Sequence, residues 1–245
     1  MIKKSIRFVC TSDTHEEEGW ELGVPDGDVL IHCGDFTRYG SIEQTKSFVK
    51  KFTALPHKKK ILIAGNHDVG FDLELYESLS KQRNKRKGYE YYPKDPMLIK
   101  GIVTENPDII YLENEGIEVG GYKVYGIPYM RLYSRSAFQR NEEVVEKLWK
   151  AIPSDTDILI THPPPYGMGD KANCSLKGHC GAKFLRKEVE DRIKPIYHLF
   201  GHIHEGSGVY KKNNITYINC SRINKKHKVV NTPYCFDLPL KETQI

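Results

Sequence analysis

No stretch of this 245-residue chain approaches the roughly 18 consecutive apolar residues that a membrane-spanning helix needs. The opening MIKKSIRFVC follows two lysines with a short apolar run, too brief for the core of a secretory leader, so a soluble, cytoplasmic protein is expected. No CxxC pair occurs among Cys10, Cys33, Cys174, Cys180, Cys220 and Cys235. A chain of this size buries enough core to do without disulfides, which makes reduced and mostly buried thiols the expectation. Cys174, His179 and Cys180 form the one local cluster, yet no fourth ligand stands at the usual zinc spacing. Strong charge of one sign is also missing: 37 Lys and Arg against 32 Asp and Glu leave a net +5, too mild to indicate nucleic acid, although it slightly favours anionic substrates. With no repeat and no low-complexity linker, residues 1–245 are expected to form a single domain.

What is present is a series of short β-branched and apolar runs, IRFVC, VLIHC, ILIAG, DIIYL, YKVYGI, DILIT and IYHLF, each bounded by Gly, Pro, Asp or Asn. They read as buried strands. Helical periodicity lies between several of them: Ile42, Thr45, Phe48, Val49 and Phe52 share a face behind a Ser41/Gln44 capping box, and Val144, Val145, Leu148 and Trp149 group over 141–151. Leu185, Val189 and Ile193 mark a third helix before Pro195. Strands alternating with helices predict a layered α/β fold, and strand signals without helices from Val209 to Leu238 predict a partly antiparallel sheet. KQRNKRKGYEYYPKDP, residues 81–96, is the one compositional shift and reads as an inserted, solvated loop whose tyrosines pack back on the domain, in preference to a nucleic-acid-binding segment.

The polar residues with most chemistry follow the predicted strands. IRFVCTS leads to Asp13-Thr14-His15, VLIHC to Gly34-Asp35, ILIA to Gly65-Asn66-His67-Asp68, DILIT to His162, and IYHLF to Gly201-His202-Ile203-His204. Ligands of open α/β sheets collect beyond the carboxyl ends of strands, so the five segments are expected to converge. On a regular strand His202 and His204 would face opposite sides. A glycine before three of these groups permits positive φ and close backbone approach, which frees the pair to reach one cluster. The inventory is Asp13, Asp35 and Asn66 with His15, His162, His202 and His204, and no thiolate. Such a mixture suits Mn, Fe or Zn, with Ni admitted, better than Ca or an all-oxygen Mg site. Seven ligands exceed one tetrahedral zinc but suit two divalent metal ions sharing a carboxylate, the usual apparatus for in-line displacement at phosphorus. His32 and His198, inside apolar runs, read as structural or supporting.

The order DTH, GD, GNHD, H and GHIH resembles the calcineurin-like metallophosphoesterase superfamily. GDVLIHCGDFT, THPPPYG, LFGHIHEGSGV, TYINCS and FDLP resemble its branch of metallophosphoesterase-domain-containing proteins, related to class III cyclic nucleotide phosphodiesterases. The resemblance runs from about Ile6 to Leu240. It implies a mixed β-sandwich flanked by helices, with Asp13, His15, Asp35 and His204 on one metal and Asp35, Asn66, His162 and His202 on the other. Asp35 would bridge, Asn66 and His67 would contact the substrate phosphate, and His67 would act as general acid or charge stabiliser. A bridging hydroxide attacking phosphorus is the implied mechanism, and manganese is among the implied metals. Asp68 is a candidate for orienting His67. Relatives of this branch often carry Glu at the position of Asp68 and Gly at that of Pro163, departures that bear on pocket shape rather than ligation.

The favoured substrate is accordingly a small phosphoester, above all a cyclic nucleotide or other nucleotide diester, with neither membrane nor nucleic acid as partner. The alternatives are a phosphomonoesterase or protein phosphatase built on the same centre, and a noncatalytic nucleotide-binding scaffold.

Overall fold

The computed structural model describes residues 4–87, 92–172 and 178–241. Two sheets face each other. The first orders its strands Tyr234–Pro239, Ser5–Thr11, Val29–Cys33, Lys59–Ile63 and Ile110–Tyr111, all parallel except the C-terminal strand, which runs antiparallel to Ser5–Thr11. The second orders Gly208–Lys212, Ile215–Asn219, Tyr197–Phe200, Ile158–Thr161, Tyr122–Ile127 and Glu115–Val119, a parallel centre with an antiparallel strand at each edge.

Period-two alternation explains why the central strands are apolar throughout. Phe8, Cys10, Ile31, Cys33, Ile61, Ile63, Ile160 and Leu199 point between the sheets, while Val9, Leu30 and Leu62 point out under one helical layer and Leu159 and Phe200 under the other. Burying each large side chain contributes about 1.5–3 kcal/mol. The result is the predicted mixed sandwich flanked by helices, with antiparallel strands where the sequence loses its helical signals.

Ile42–Ala54 begins at Ser41, whose hydroxyl accepts the Gln44 N–H at 3.3 Å. The return arm of the expected capping box goes elsewhere, since Gln44 Oε1 accepts the Tyr39 N–H at 2.8 Å. Glu142–Lys150 is capped by Asn141 and buries Val145 and Trp149, but Val144 lies on the exposed side, one residue off the apolar stripe. Lys183–Glu188 continues as a π-turn over Val189–Ile193 and stops at Lys194 in the left-handed region.

The expected loop over 81–96 needs correction. Residues 81–87 continue the helix Tyr76–Lys87, and a further helix spans Met97–Thr104. Lys, Arg and Gln are good helix formers, so a basic run is compatible with a helix that carries little apolar periodicity. Tyr92 does pack back: it is buried, and its hydroxyl bonds the Tyr39 carbonyl. Gly88 to Tyr91 lie outside the described residues. So does Cys174, and His179 of that cluster pairs with buried Asp170 at 2.6 Å. Of the described thiols Cys10, Cys33 and Cys220 are buried, whereas Cys180 and Cys235 are exposed. Among the described residues no helix is long and apolar enough to cross a membrane.

Candidate metal centre

The chain turns that follow five strands meet at one end of the sandwich. Asp13 N–H donates to the Gly34 carbonyl at 3.0 Å, His15 N–H to the Asp35 carbonyl at 3.0 Å, and Gly201 N–H to the His162 carbonyl at 3.1 Å. A bridge between Ser12 and Ser221 adds the segment after Ile215–Asn219.

The backbone here leaves ordinary geometry at the chemistry-bearing residues themselves. Asp13, His15, Asp35 and His202 have φ of 50°, 48°, 55° and 69°. Left-handed backbone at a non-glycine residue is uncommon and costs on the order of 1–3 kcal/mol, so the surrounding bonds must hold it. Only Gly34 among the three motif glycines has positive φ, at 95°. Gly65 and Gly201 are needed for room: a Cβ would lie 2.3 Å from Asp35 Oδ1 at Gly65 and 2.1 Å from Asp13 Oδ2 at Gly201. The turn that lets His202 and His204 share a site therefore sits at His202 rather than at the preceding glycine.

Ligand-type atoms converge in three overlapping groups, each within 4.8 Å: Asp13, His15 and His204; His15, Asp35 and His67; and Asp35, His162 and His202. Asp35 Oδ1 is occupied by the His67 N–H at 2.8 Å, which leaves Oδ2 facing His162 Nε2 at 3.3 Å and His15 Nε2 at 3.7 Å. Asn66 Oδ1 lies 3.0 Å from His162 Nε2. All seven expected ligands are thus brought together, with Asp35 central, and His67 lies edge-on to His15 at 4.5 Å between ring centroids.

The donor set fits divalent cations. His162 Nδ1 is 2.9 Å from the Cys33 carbonyl, which can only accept, so Nδ1 carries the proton. In the neutral ring the Nε2 lone pair then confronts the oxygens of Asp35 and Asn66, an arrangement that calls for a positive centre among them. A similar confrontation occurs across the site, where His15 Nε2 and His204 Nε2 approach to 3.3 Å with Asp13 Oδ1 3.5 Å from the latter. Protons play the part of that positive charge otherwise: burial opposes it, but Asp35 raises the His162 pKa to about 9, and Asp13 likewise raises that of His204. Burial pushes His15 and His202 down to about 3, keeping them neutral and fit to ligate. Both carboxylates are held below their usual range by the imidazoles despite burial.

Several supporting residues were not legible as such. Asp68 does not touch the His67 ring; its carboxylate accepts N–H bonds from Gly65, Asp35 and Thr37 at 2.8–2.9 Å and the Thr37 hydroxyl at 2.6 Å. Burial, and then the neighbouring Asp35, push its pKa up to about 7 against those donors. His67 is oriented instead by the Arg38 carbonyl, 2.9 Å from Nδ1. Ser136 donates to the Asn66 carbonyl at 2.5 Å and accepts from Nδ2 at 3.5 Å, turning Oδ1 toward His162. His227, within the basic NKKHK, stacks edgewise on His15. Tyr133 lies 5.6 Å from His202 between ring centroids. The Ser-Ala-Phe stretch and the lysine-rich turn carry no local ligand signal, so nothing in one sequence marks these positions. His32 and His198 are buried supports, bonded to Thr14 at 3.0 Å and to Thr161 at 2.9 Å.

Two parallel-centred sheets with a mixed carboxylate and imidazole cluster at their ends define a metal-dependent hydrolase architecture, and comparison with known proteins agrees. The calcineurin-like phosphoesterase profile matches residues 6–206, and the chain belongs to that family. It is 39% identical to UPF0046 protein K07C11.7 of Caenorhabditis elegans, covering 96% of this chain and 76% of that protein. It is 38% identical to metallophosphoesterase domain-containing protein 1 of Homo sapiens, covering 95% and 71% respectively. One solved structure superposes with a TM-score of 0.63 at 14% identity, over 88% of this chain and 90% of that one, a likeness of fold alone.

Proposed function

We propose that this protein is a dinuclear metallophosphoesterase that hydrolyses small phosphodiesters, with cyclic nucleotides and other nucleotide diesters as the favoured substrates. The observation that carries the reading is Asp35 Oδ2, which faces His162 on one side and His15 on the other while Oδ1 is held by the His67 amide. That carboxylate would be the one shared by both metals. Asp13, His15 and His204 would complete one site with it, and Asn66, His162 and His202 the other. Two divalent cations held there would supply an acidified water and neutralise charge developing at phosphorus. Mn, Fe or Zn suits these nitrogen and oxygen donors.

The chain's own residues supply orientation and proton transfer. Asn66, braced by Ser136, presents its amide oxygen inward. His67 has Nδ1 committed to the Arg38 carbonyl, so it donates to a phosphate or leaving-group oxygen through Nε2 only as the imidazolium. Replacing His67 with Ala is expected to depress turnover while the metals stay bound.

The test is metal analysis of the purified protein joined to a hydrolysis panel of cyclic nucleotides, bis(p-nitrophenyl) phosphate and p-nitrophenyl phosphate. Two bound metals with turnover of the diesters support the reading. Turnover of the monoester alone would replace it with a phosphomonoesterase, and two metals without turnover of any would replace it with a nucleotide-binding scaffold.

A further inference from the structure

The connection between strands Ile215–Asn219 and Tyr234–Pro239 crosses the open end of the sandwich and makes one tight turn there. Asn224 N–H donates to the Lys228 carbonyl at 3.0 Å, His227 N–H to the Asn224 carbonyl at 2.9 Å, and Asn224 Oδ1 accepts from Lys226 N–H at 2.9 Å and Lys228 N–H at 3.2 Å. Ile223 and Val229 close the turn as a bridge. His227 occupies its left-handed position, φ 55°, where Gly or Asn would be the cheaper residue.

The turn delivers the imidazole onto the centre. Its ring lies 5.1 Å from that of His15 and 5.7 Å from that of His204, both edgewise, so His227 flanks His15 as His67 does. Its nitrogens do not join the converging ligand atoms. Nδ1 is buried without a hydrogen-bond partner, the Glu17 carboxylate standing 3.8 Å away, yet the side chain as a whole is 30% exposed. Glu17 itself lies 3.4 Å from Arg38 Nη1. A strained residue whose ring is pressed on two candidate ligands, with Nδ1 turned inward and the side chain still partly exposed, has its other nitrogen, Nε2, to offer a molecule that reaches His15 and His204.

We propose that His227 is a second substrate-contacting imidazole, hydrogen-bonding a phosphoryl oxygen of the ester beside the metal site formed by Asp13, His15 and His204. This rests on the phosphoesterase reading for its ligand. It places a specificity contact on a segment that supplies no metal ligand.

The test uses the manganese-loaded full chain and its His227→Ala and His227→Asn variants, with inorganic phosphate as the binding probe and bis(p-nitrophenyl) phosphate as substrate. Metal content measured on the same samples should be unchanged. Calorimetry is expected to show phosphate binding weakened about tenfold in the Ala variant, the size of one hydrogen bond to a charged group. The Asn variant should recover part of it, and kcat/KM should fall at least as far. Wild-type phosphate affinity and kcat/KM in both variants would overturn the proposal, as would metal loss proportional to the loss of binding, which would make His227 a buttress. A wild-type protein that binds phosphate and hydrolyses no ester, with binding still weakened by His227→Ala, would remove the hydrolase reading and retain this contact.

Discussion

The two ring nitrogens of His162 have opposite assignments: Nδ1 donates to the Cys33 carbonyl at 2.9 Å, and Nε2 looks at Asp35 Oδ2 from 3.3 Å. The buried end of strand Val29–Cys33 thus fixes the tautomer of a histidine on the opposite sheet. With the Asp13 carboxylate and the imidazoles of His15, His162, His202 and His204 gathered around Asp35, metal bound there would be coupled to folding.

That coupling predicts an uneven loss of metal on substitution. His202→Ala should release mainly the metal shared with Asn66 and His162, and His204→Ala mainly the one held with Asp13 and His15. Asp35→Asn should weaken both. Elemental analysis after gel filtration would read about one metal per chain in each histidine variant and fewer in Asp35→Asn. Full occupancy in both histidine variants refutes the division.

Chelation supplies a stability readout that does not depend on activity. Removing metal leaves buried carboxylates and imidazoles facing one another, and restoring it stabilises the native state by mass action, about 2.7 kcal/mol at a hundredfold excess over Kd. Thermal midpoints should fall on chelation and rise again with added manganese or zinc. A midpoint indifferent to both ions would speak against a metal centre.

Gly201 and Gly65 should be intolerant of alanine for steric reasons. The Gly201 Cβ would meet Asp13 Oδ2 and the Ser12 hydroxyl, each at 2.1 Å, and a cost of roughly 1–3 kcal/mol or more is expected of such overpacking. Gly23, at φ 71° with nothing within 4 Å of its would-be Cβ, is the control, exposed to backbone strain alone. Denaturant midpoints should order wild type above Gly23→Ala above Gly201→Ala.

How much of this was readable follows from how each residue acts. Strand runs were legible because both faces of each central strand are buried, and the seven candidate ligands because they follow those strands directly. The bracing residues were not, because their partners are backbone groups distant in sequence: Asp68 holds the Thr37 amide, Arg38 serves His67 through a carbonyl any residue possesses, and Ser136 reaches Asn66 across 70 positions. The helix over 81–87 was missed because its residues lack an apolar stripe, although their helix propensity is good.

Asp68 should accordingly matter as a clamp. Its two oxygens accept four donors from Gly65, Asp35 and Thr37, gathering the GD and GNHD turns. Asp68→Asn turns an NH2 group toward donors that already point inward. A loss of about 1–3 kcal/mol is expected, since at least one buried donor goes unsatisfied. Metal affinity should fall with it because the Asp35 amide is one of the four. Unchanged denaturation midpoint and metal content would remove the clamp role.

A buried ion pair lies behind Asn66 and forms one wall beside it. Arg140 meets both oxygens of Asp72, at 2.9 and 2.8 Å, and the Phe138 N–H donates to Asp72 Oδ2 at 2.6 Å. Asp72 follows the GNHD turn, while Phe138 and Arg140 follow Ser136, so the pair fastens the segment that braces Asn66. Arg140→Ala strands a carboxylate that is 1% exposed, a change expected to cost about 3–5 kcal/mol. Arg140→Met should cost less than Arg140→Ala, since the stem packing survives and only the charge and its hydrogen bonds are lost. If the wall serves the site as well as the fold, both variants should also lose metal from the position shared by Asn66 and His162, measured below the unfolding midpoint where the chain is still native. Instability with full metal content would confine the Asp72–Arg140 pair to folding.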